Sequence, residues 1–411
     1  MRESLTRTFV VPALIGLAVA LAVALCVIVT PGTALAQDTQ TKTTPSSAPN
    51  LDVQSWVLTD QDSGNFLAGK NPDAQIAPGS TTKIMVALVA LDEGVNLDDE
   101  VTVSENAASY AGYIYSNIGL YPYDRVSVRE LMQASLIPSG TDAVYALCEY
   151  LGGGSVQSCV QKMNQKARDL NLKNTHYDNP AGIDSPDDYT SARDLAIIAR
   201  AAMKYPFFAQ TVATRDASIT TESTVNRTIE FSNTNLLLNS YTPATGIKTG
   251  TTPEGGASLV SSAESGDESY IAVVLDAPTD TVRFGSSAQA LEYGFGSFDH
   301  KPLVRKNKVY DEVTLPYRRD ESRKLVAAES AEALVGPGIK VERKVTTEEL
   351  PSEAAKGDEV GEVDLRINGQ SVESVPLVVQ EGYKGASFWD HVQYISVSAW
   401  RGTWNFVDGL M

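Results

Sequence analysis

Hydrophobic and polar positions divide this chain into blocks with different periods. Phe9 to Val29 is an almost unbroken apolar run, and Gln37 to Asn50 is rich in Thr, Ser and Pro with no apolar face. The second block reads as a flexible tether. From Leu51 the pattern is globular. Ser55-Trp56-Val57-Leu58 and Phe66-Leu67-Ala68, with Asp62-Ser63-Gly64 between them, predict a hairpin. Helical spacing covers Ile84 to Leu91, Ala143 to Leu151, Ser286 to Tyr293, and Ser191 to Met203, the last with Thr190 or Ser191 as N-cap. Leu259 to Ser262 and Tyr270 to Leu275 are strand-like.

The texture changes at about residue 300. Val309 to Leu315, Leu325 to Ala328, Ile339 to Val345, Val360 to Ile367 and Val372 to Val379 predict short strands. Asn368-Gly369 signals a type I′ turn between the last two. This half is expected to be all-β and offers no obvious chemistry. Residues 384–411 form a separate tail. Phe388, Val392, Ile395, Ala399, Phe406 and Leu410 share one helical face, widened by Trp389, Trp400, Trp404, Val407 and Met411, with Asp390, Arg401 and Asp408 opposite. Tryptophan favours the membrane–water interface, so the tail is expected to associate with a membrane. Docking on its own domain or on a partner is the alternative.

The start of the chain reads as an export signal over residues 1–36. Arg2 and Arg7 flank a polar start, the apolar run follows, and Ala34-Leu35-Ala36 supplies a cleavage pattern before Gln37. An uncleaved anchor is the alternative, because the run is long enough to span a bilayer. Lipidation of Cys26 is rejected, since Leu25 is too large for the preceding position. The expected location is outside the cytoplasm, at the outer face of the cytoplasmic membrane.

Charge then narrows the function. With 33 basic and 51 acidic side chains, the net charge of −18 argues against a nucleic-acid partner. Three Cys and three His leave little material for metal sites, so no metal or cofactor is expected. Loss of the export segment leaves only Cys148 and Cys159. Outside the cytoplasm they can form a disulfide; two small apolar residues on adjacent helices fit equally well.

Three short segments carry candidate chemistry. Ser80-Thr81-Thr82-Lys83 opens a helix after Pro78-Gly79, and positions three apart share a face, so hydroxyl and amine can meet. A Ser beside a Lys base is an acyl-transfer arrangement. Ser139-Gly140-Thr141-Asp142 precedes another helix, and Lys248-Thr249-Gly250-Thr251 borders a strand-like run. Each alone has a bland reading as a cap or turn. Their order, 59 and then 109 residues apart, makes the set specific.

On these motifs the chain resembles the penicillin-binding proteins and serine β-lactamases, which combine S-x-x-K, S-x-N and K-T-G. It is most similar to the low-molecular-mass penicillin-binding proteins, the serine D-Ala-D-Ala carboxypeptidases. Ile76 to Ser80, Asn179-Pro180-Ala181-Gly182-Ile183-Asp184, Ser191 to Leu195, Asn233-Thr234-Asn235 and Gly246 to Gly250 support the match. The resemblance implies a transpeptidase-like α/β domain over 51–300, an antiparallel sheet flanked by helices with an all-α subdomain. A β-sandwich over 301–383 and an amphipathic anchor would follow.

It further implies Ser80 as nucleophile, Lys83 as its base and Ser139 as a proton relay. Lys248 and Thr249 would hold the substrate carboxylate, and the amides of Ser80 and Thr251 would form the oxyanion hole. Substrate and inhibitor would be peptidoglycan stem peptides and β-lactams. For Lys83 to accept a proton its pKa must fall, and burial and a positive Lys248 would both lower it. Thr141 departs from the family's usual Asn and offers fewer contacts.

Other motifs are decoys. Gly64 to Asn71 nearly matches a P-loop, but Asn71 and Pro72 stand where Ser or Thr and a helix are needed. His176, His300 and His391 are scattered, and there is no G-x-S-x-G elbow. Asn226-Arg227-Thr228 fits a common glycosylation pattern. No E-x-x-L-N segment follows Ser139, so penicillin is expected to leave slowly. A class A-like β-lactamase and a non-catalytic wall-binding protein are the rival readings.

Overall fold

The computed structural model describes residues 47–397 apart from Tyr113, Thr224 and Val225. The expected export segment, most of the tether and the tail beyond 397 lie outside these residues. β1 (Ser55–Asp60) and β2 (Phe66–Lys70) form the expected hairpin. Lys70 donates to the Val53 carbonyl at 2.8 Å, so the P-loop lookalike is the end of a strand. A single 3-10 turn over Gly79–Thr82 then leads into α1 (Lys83–Asp92), whose residues Lys83 to Ala90 are all buried. A helix apolar on every side belongs in the core, and α1 runs through it.

A helical region follows. β3 (Glu100–Thr102), α2 (Glu105–Ser109) and β4 (Arg125–Ser127) lead into α3 (Val128–Leu136), α4 (Thr141–Leu151) and α5 (Val156–Asp169). Ser127 and Glu130 close a capping box at the start of α3. Cys148 on α4 and Cys159 on α5 are joined by a disulfide, both fully buried. That settles the pair left open by the sequence. Closing a loop of this size restricts the unfolded chain by about 3 kcal/mol. Cys148→Ala with Cys159→Ala is therefore expected to lower the urea midpoint by a corresponding amount. An unchanged midpoint would show that packing alone holds α4 to α5.

α6 (Ala192–Met203) is capped by Ser191, whose hydroxyl accepts from the Asp194 amide. α7 (Pro206–Ala213), the hairpin β5 (Asp216–Thr221) and β6 (Arg227–Ser232), and the short α8 (Leu237–Ser240) follow. β7 (Ala244–Thr252), β8 (Gly256–Ser265) and β9 (Glu268–Ala277) complete an antiparallel sheet in the order β2-β1-β9-β8-β7. α9 (Asp280–Ser297) begins six residues before the helix expected from the pattern. Thr279 supplies its cap by accepting from the Val282 amide.

The alternation of β9 explains the layers. Ile271, Val273 and Leu275 join the core shared with α1, α4 and α6, whereas Tyr270, Ala272 and Val274 join the core under α9. The sheet is covered on both faces, and β7 is left at its edge.

Beyond α9 the chain is β-structure. β10 (Asp299–Val304) pairs with β13 (Ala331–Val335). β11 (Val309–Leu315), β12 (Arg318–Ala327), β14 (Val341–Thr347), β15 (Glu359–Ile367) and β16 (Gln370–Val379) form a second sheet, ordered β11-β12-β16-β15-β14. Val304, Leu325, Val363, Leu365 and Leu377 meet in its core. Asn368 and Gly369 both have positive φ, 51° and 84°, as a type I′ turn requires. The sequence pattern missed β10 and β13, whose Pro302 and small alanines weaken the strand signal. β10 also runs across the boundary expected at residue 300.

Candidate active site

Three segments distant in sequence converge beside the edge of the first sheet. The 3-10 turn presents Ser80, and Lys83 follows one turn later at the head of α1. Lys83 Nζ donates to Ser80 Oγ at 2.9 Å and to Ser139 Oγ at 3.4 Å. Ser139 adopts the left-handed conformation with φ 68°, which a non-glycine residue holds only where its surroundings enforce it. The Gly140 amide bonds the Ala134 carbonyl, and the Thr141 amide donates to the Ser116 carbonyl at 2.7 Å. Those bonds tie the Ser139 turn to α3 and to the 116–120 loop. Asp142 completes the tie, its buried carboxylate accepting from the Ile118, Leu120 and Ala143 amides.

Two glycines permit the close packing. A Cβ at Gly182 would fall 1.7 Å from the Gly79 carbonyl oxygen, so the Asn179-to-Asp184 loop can press on the nucleophile turn only with glycine there. A Cβ at Gly250 would lie 2.9 Å from the Pro78 oxygen. Without one, β7 lies directly along the turn that carries Ser80.

β7 brings the remaining predicted groups. Lys248 is 1% exposed, and its Nζ donates to the Thr249 carbonyl at 3.2 Å. Thr249 Oγ1 lies 2.7 Å from Thr234 Oγ1. Arg283 of α9 stands behind the strand, bonding the Gly250 carbonyl at 3.0 Å, Thr251 Oγ1 at 2.9 Å and the Ser258 carbonyl at 3.3 Å. Sequence reasoning missed Arg283 entirely, because no local motif surrounds it. Thr234 sits inside a stretch used only to support the resemblance. All seven residues singled out by the motifs therefore lie on three adjoining segments, with Thr141 set by the start of α4.

The electrostatics separate the two lysines. Burial lowers Lys83 to about 7, against the pull of the Asp142 carboxylate in the other direction. Burial also pushes Lys248 well below its ordinary value, and the positive charges of Lys83 and Arg283 add to the effect. The like charges of Lys83 and Lys248 disfavour one another, so the pair resists holding two protons. The surroundings are asymmetric: Lys83 has a carboxylate nearby, and Lys248 has a second cation. In the ligand-free site a proton shared by the pair is better placed on Lys83.

A Ser with a buried amine at hydrogen-bond distance, a second hydroxyl on that amine, and a lysine-bearing edge strand define a serine acyl-transfer site. The comparisons agree. Residues 41–279 match the family described as D-alanyl-D-alanine carboxypeptidase, and residues 298–384 match the penicillin-binding protein 5 C-terminal domain. The chain is 33% identical to D-alanyl-D-alanine carboxypeptidase DacF of Bacillus subtilis (strain 168), over 82% of this chain and 87% of that protein. It is 32% identical to DacC of Escherichia coli (strain K12), over 87% and 91% of the two chains. The crystal structure of penicillin-binding protein 5 from Haemophilus influenzae aligns with a TM-score of 0.63 at 30% identity, covering 83% of this chain and 100% of that one. The chain belongs to the D-alanyl-D-alanine carboxypeptidase family of serine peptidases, the low-molecular-mass penicillin-binding proteins. The expected fold class stands with it.

Proposed function

We propose that the protein removes the terminal D-Ala from peptidoglycan stem peptides through an acyl-enzyme on Ser80. The observation that carries this reading is the 2.9 Å contact between Ser80 Oγ and a buried amine that titrates near 7. Neutral Lys83 takes the Ser80 proton as Oγ attacks the carbonyl carbon of the D-Ala-D-Ala bond. The oxyanion rests on the Ser80 and Thr251 amides, donors of a kind typically worth about 10²–10³ in rate. The proton then passes from Lys83 through Ser139 to the leaving amine, and free D-Ala departs. Water hydrolyses the ester with Lys83 again as base.

The substrate carboxylate binds Lys248 and Thr249. An anion there favours the charged form of Lys248, which moves the shared positive charge away from Lys83 as substrate arrives. Thr141 replaces the family's usual Asn, so a shorter side chain with fewer hydrogen-bonding groups faces the peptide carbonyl beside Ser139.

A β-lactam presents the same carbonyl and carboxylate, and no E-x-x-L-N segment follows Ser139 to position a water on its acyl-enzyme. Mass spectrometry of penicillin-treated protein is expected to show one stable adduct on the peptide bearing Ser80, alongside D-Ala release from a pentapeptide. Rapid turnover of penicillin without an adduct would favour the β-lactamase reading. Neither adduct nor release would overturn the assignment to an enzyme.

The same reading places the protein outside the cytoplasm, held at the membrane by its tail. Helix 388–397 supports this. Asp390 pairs with Arg318 at 3.4 Å and the rings of His391 and Tyr394 meet Tyr317, so the polar side faces the β region. Phe388 and Trp389, each 74% exposed, and Ile395 at 65% face outward. Among the described residues no helix is long and apolar enough to cross a membrane; exposed aromatic and aliphatic side chains on one side of a helix suit the membrane–water interface.

A further inference from the structure

The mechanism above leaves the Thr234–Thr249 hydroxyl pair unused. Thr234 lies in the turn between β6 and α8, flanked by two buried asparagines that fix it. Asn233 Oδ1 accepts from the Asn235 amide at 2.9 Å, and Asn233 Nδ2 donates to the Thr214 carbonyl at 2.8 Å. Asn235 Oδ1 accepts from the Leu237 amide at 3.1 Å. Between them, the Thr234 amide donates to the Ile137 carbonyl at 3.2 Å, two residues before Ser139. Its hydroxyl meets Thr249 at 2.7 Å. One half-buried residue thus bridges the two elements, its backbone amide on the segment that leads to Ser139 and its hydroxyl on the carboxylate-binding strand.

Counting protons assigns it a role. A threonine hydroxyl has one donor and two acceptor lone pairs, and a carboxylate only accepts. When Thr249 donates to a substrate carboxylate, its single proton is committed there. Its oxygen is then the acceptor in the pair, and Thr234 is the donor. We infer that Thr234 is a positioning residue for the reaction: by donating to Thr249 it turns the Thr249 proton into the cleft, toward the terminal carboxylate of the substrate. This rests on the reading that Lys248 and Thr249 hold that carboxylate. Donation in series also polarises the second hydroxyl and strengthens its bond to the anion.

The test compares wild type, Thr234→Val and Thr234→Ser on two peptides, one ending in D-Ala-D-Ala carboxylate and the other in its carboxamide. Valine keeps the shape and removes the donor. Thr234→Val is expected to raise KM for the carboxylate peptide about two- to tenfold with a smaller change in kcat, the range for one neutral hydrogen bond. Thr234→Ser should stay within about twofold of wild type, and neither variant should change carboxamide turnover. Equal losses on both peptides would mean a structural role and overturn the inference, as would no loss on either. A serine variant as impaired as the valine variant would overturn it too. Should Thr234→Val fail to fold by thermal melting, Thr234→Ala carries the same comparison. A wild type indifferent to carboxylate or carboxamide would instead remove the underlying reading of Lys248 and Thr249.

Discussion

Lys83→Met is expected to lower kcat/KM for D-Ala release by at least about 10³, near the upper range for loss of a general base. Methionine fills the buried space and makes no proton transfer. The wild-type profile supplies the signature: kcat should rise with pH along an acidic limb and then level, because Lys83 acts when neutral in the complex. A residual rate within tenfold of wild type would mean that another group takes the Ser80 proton. The same variant should gain stability. Lys83 has an ordinary pKa of 10.5 when unfolded and about 7 when folded, so the unfolded chain binds more protons between these values. Stability from this group therefore increases as pH rises from 7 to 10.5, and below 7 the full cost, of order 5 kcal/mol, opposes folding. Urea unfolding at pH 6 should show Lys83→Met to be the more stable protein. A loss of both activity and stability would instead indicate that the amine contributes mainly to packing.

What the sequence made legible was local. Ser80 and Lys83 stand three apart on one helical face, and their spacing alone brings hydroxyl and amine together. Ser139 and Lys248 stood out as short motifs, but their roles came only through the resemblance, because their approach depends on how the sheet and helices stack. Arg283 and the hydroxyl contact of Thr234 depend on the same stacking and carry no motif of their own. The Cys148–Cys159 bond was undecidable for a related reason: the turn between α4 and α5 fixes whether two sulfurs meet, and many turns would suit the spacing. Charge was misjudged in one respect. Asp142 looked like the end of a motif, yet its buried carboxylate favours the charged form of Lys83 and biases a proton shared by the two amines toward it.

That bias gives Lys248 a second task beyond holding an anion, and its loss is expected to be the next most damaging. Lys248→Gln keeps a donor near the carboxylate and removes the charge. Leaving a bound carboxylate without its cation in a buried site costs about 2–5 kcal/mol, so kcat/KM for the peptide should fall about 30- to 5,000-fold. Penicillin acylation of Ser80 should fall in parallel, because it presents the same carboxylate, whereas the carboxamide peptide should be turned over at nearly the wild-type rate. The pH dependence separates charge from contact. With substrate bound, wild-type Lys248 holds the positive charge and leaves Lys83 neutral; in the variant no amine takes that charge, and the carboxylate now acts on Lys83 directly. An anion raises the pKa of a nearby amine, so the acidic limb of kcat should move to higher pH. A limb that stays in place while KM rises would confine Lys248 to binding, and Lys83 would then owe its neutral form to burial alone.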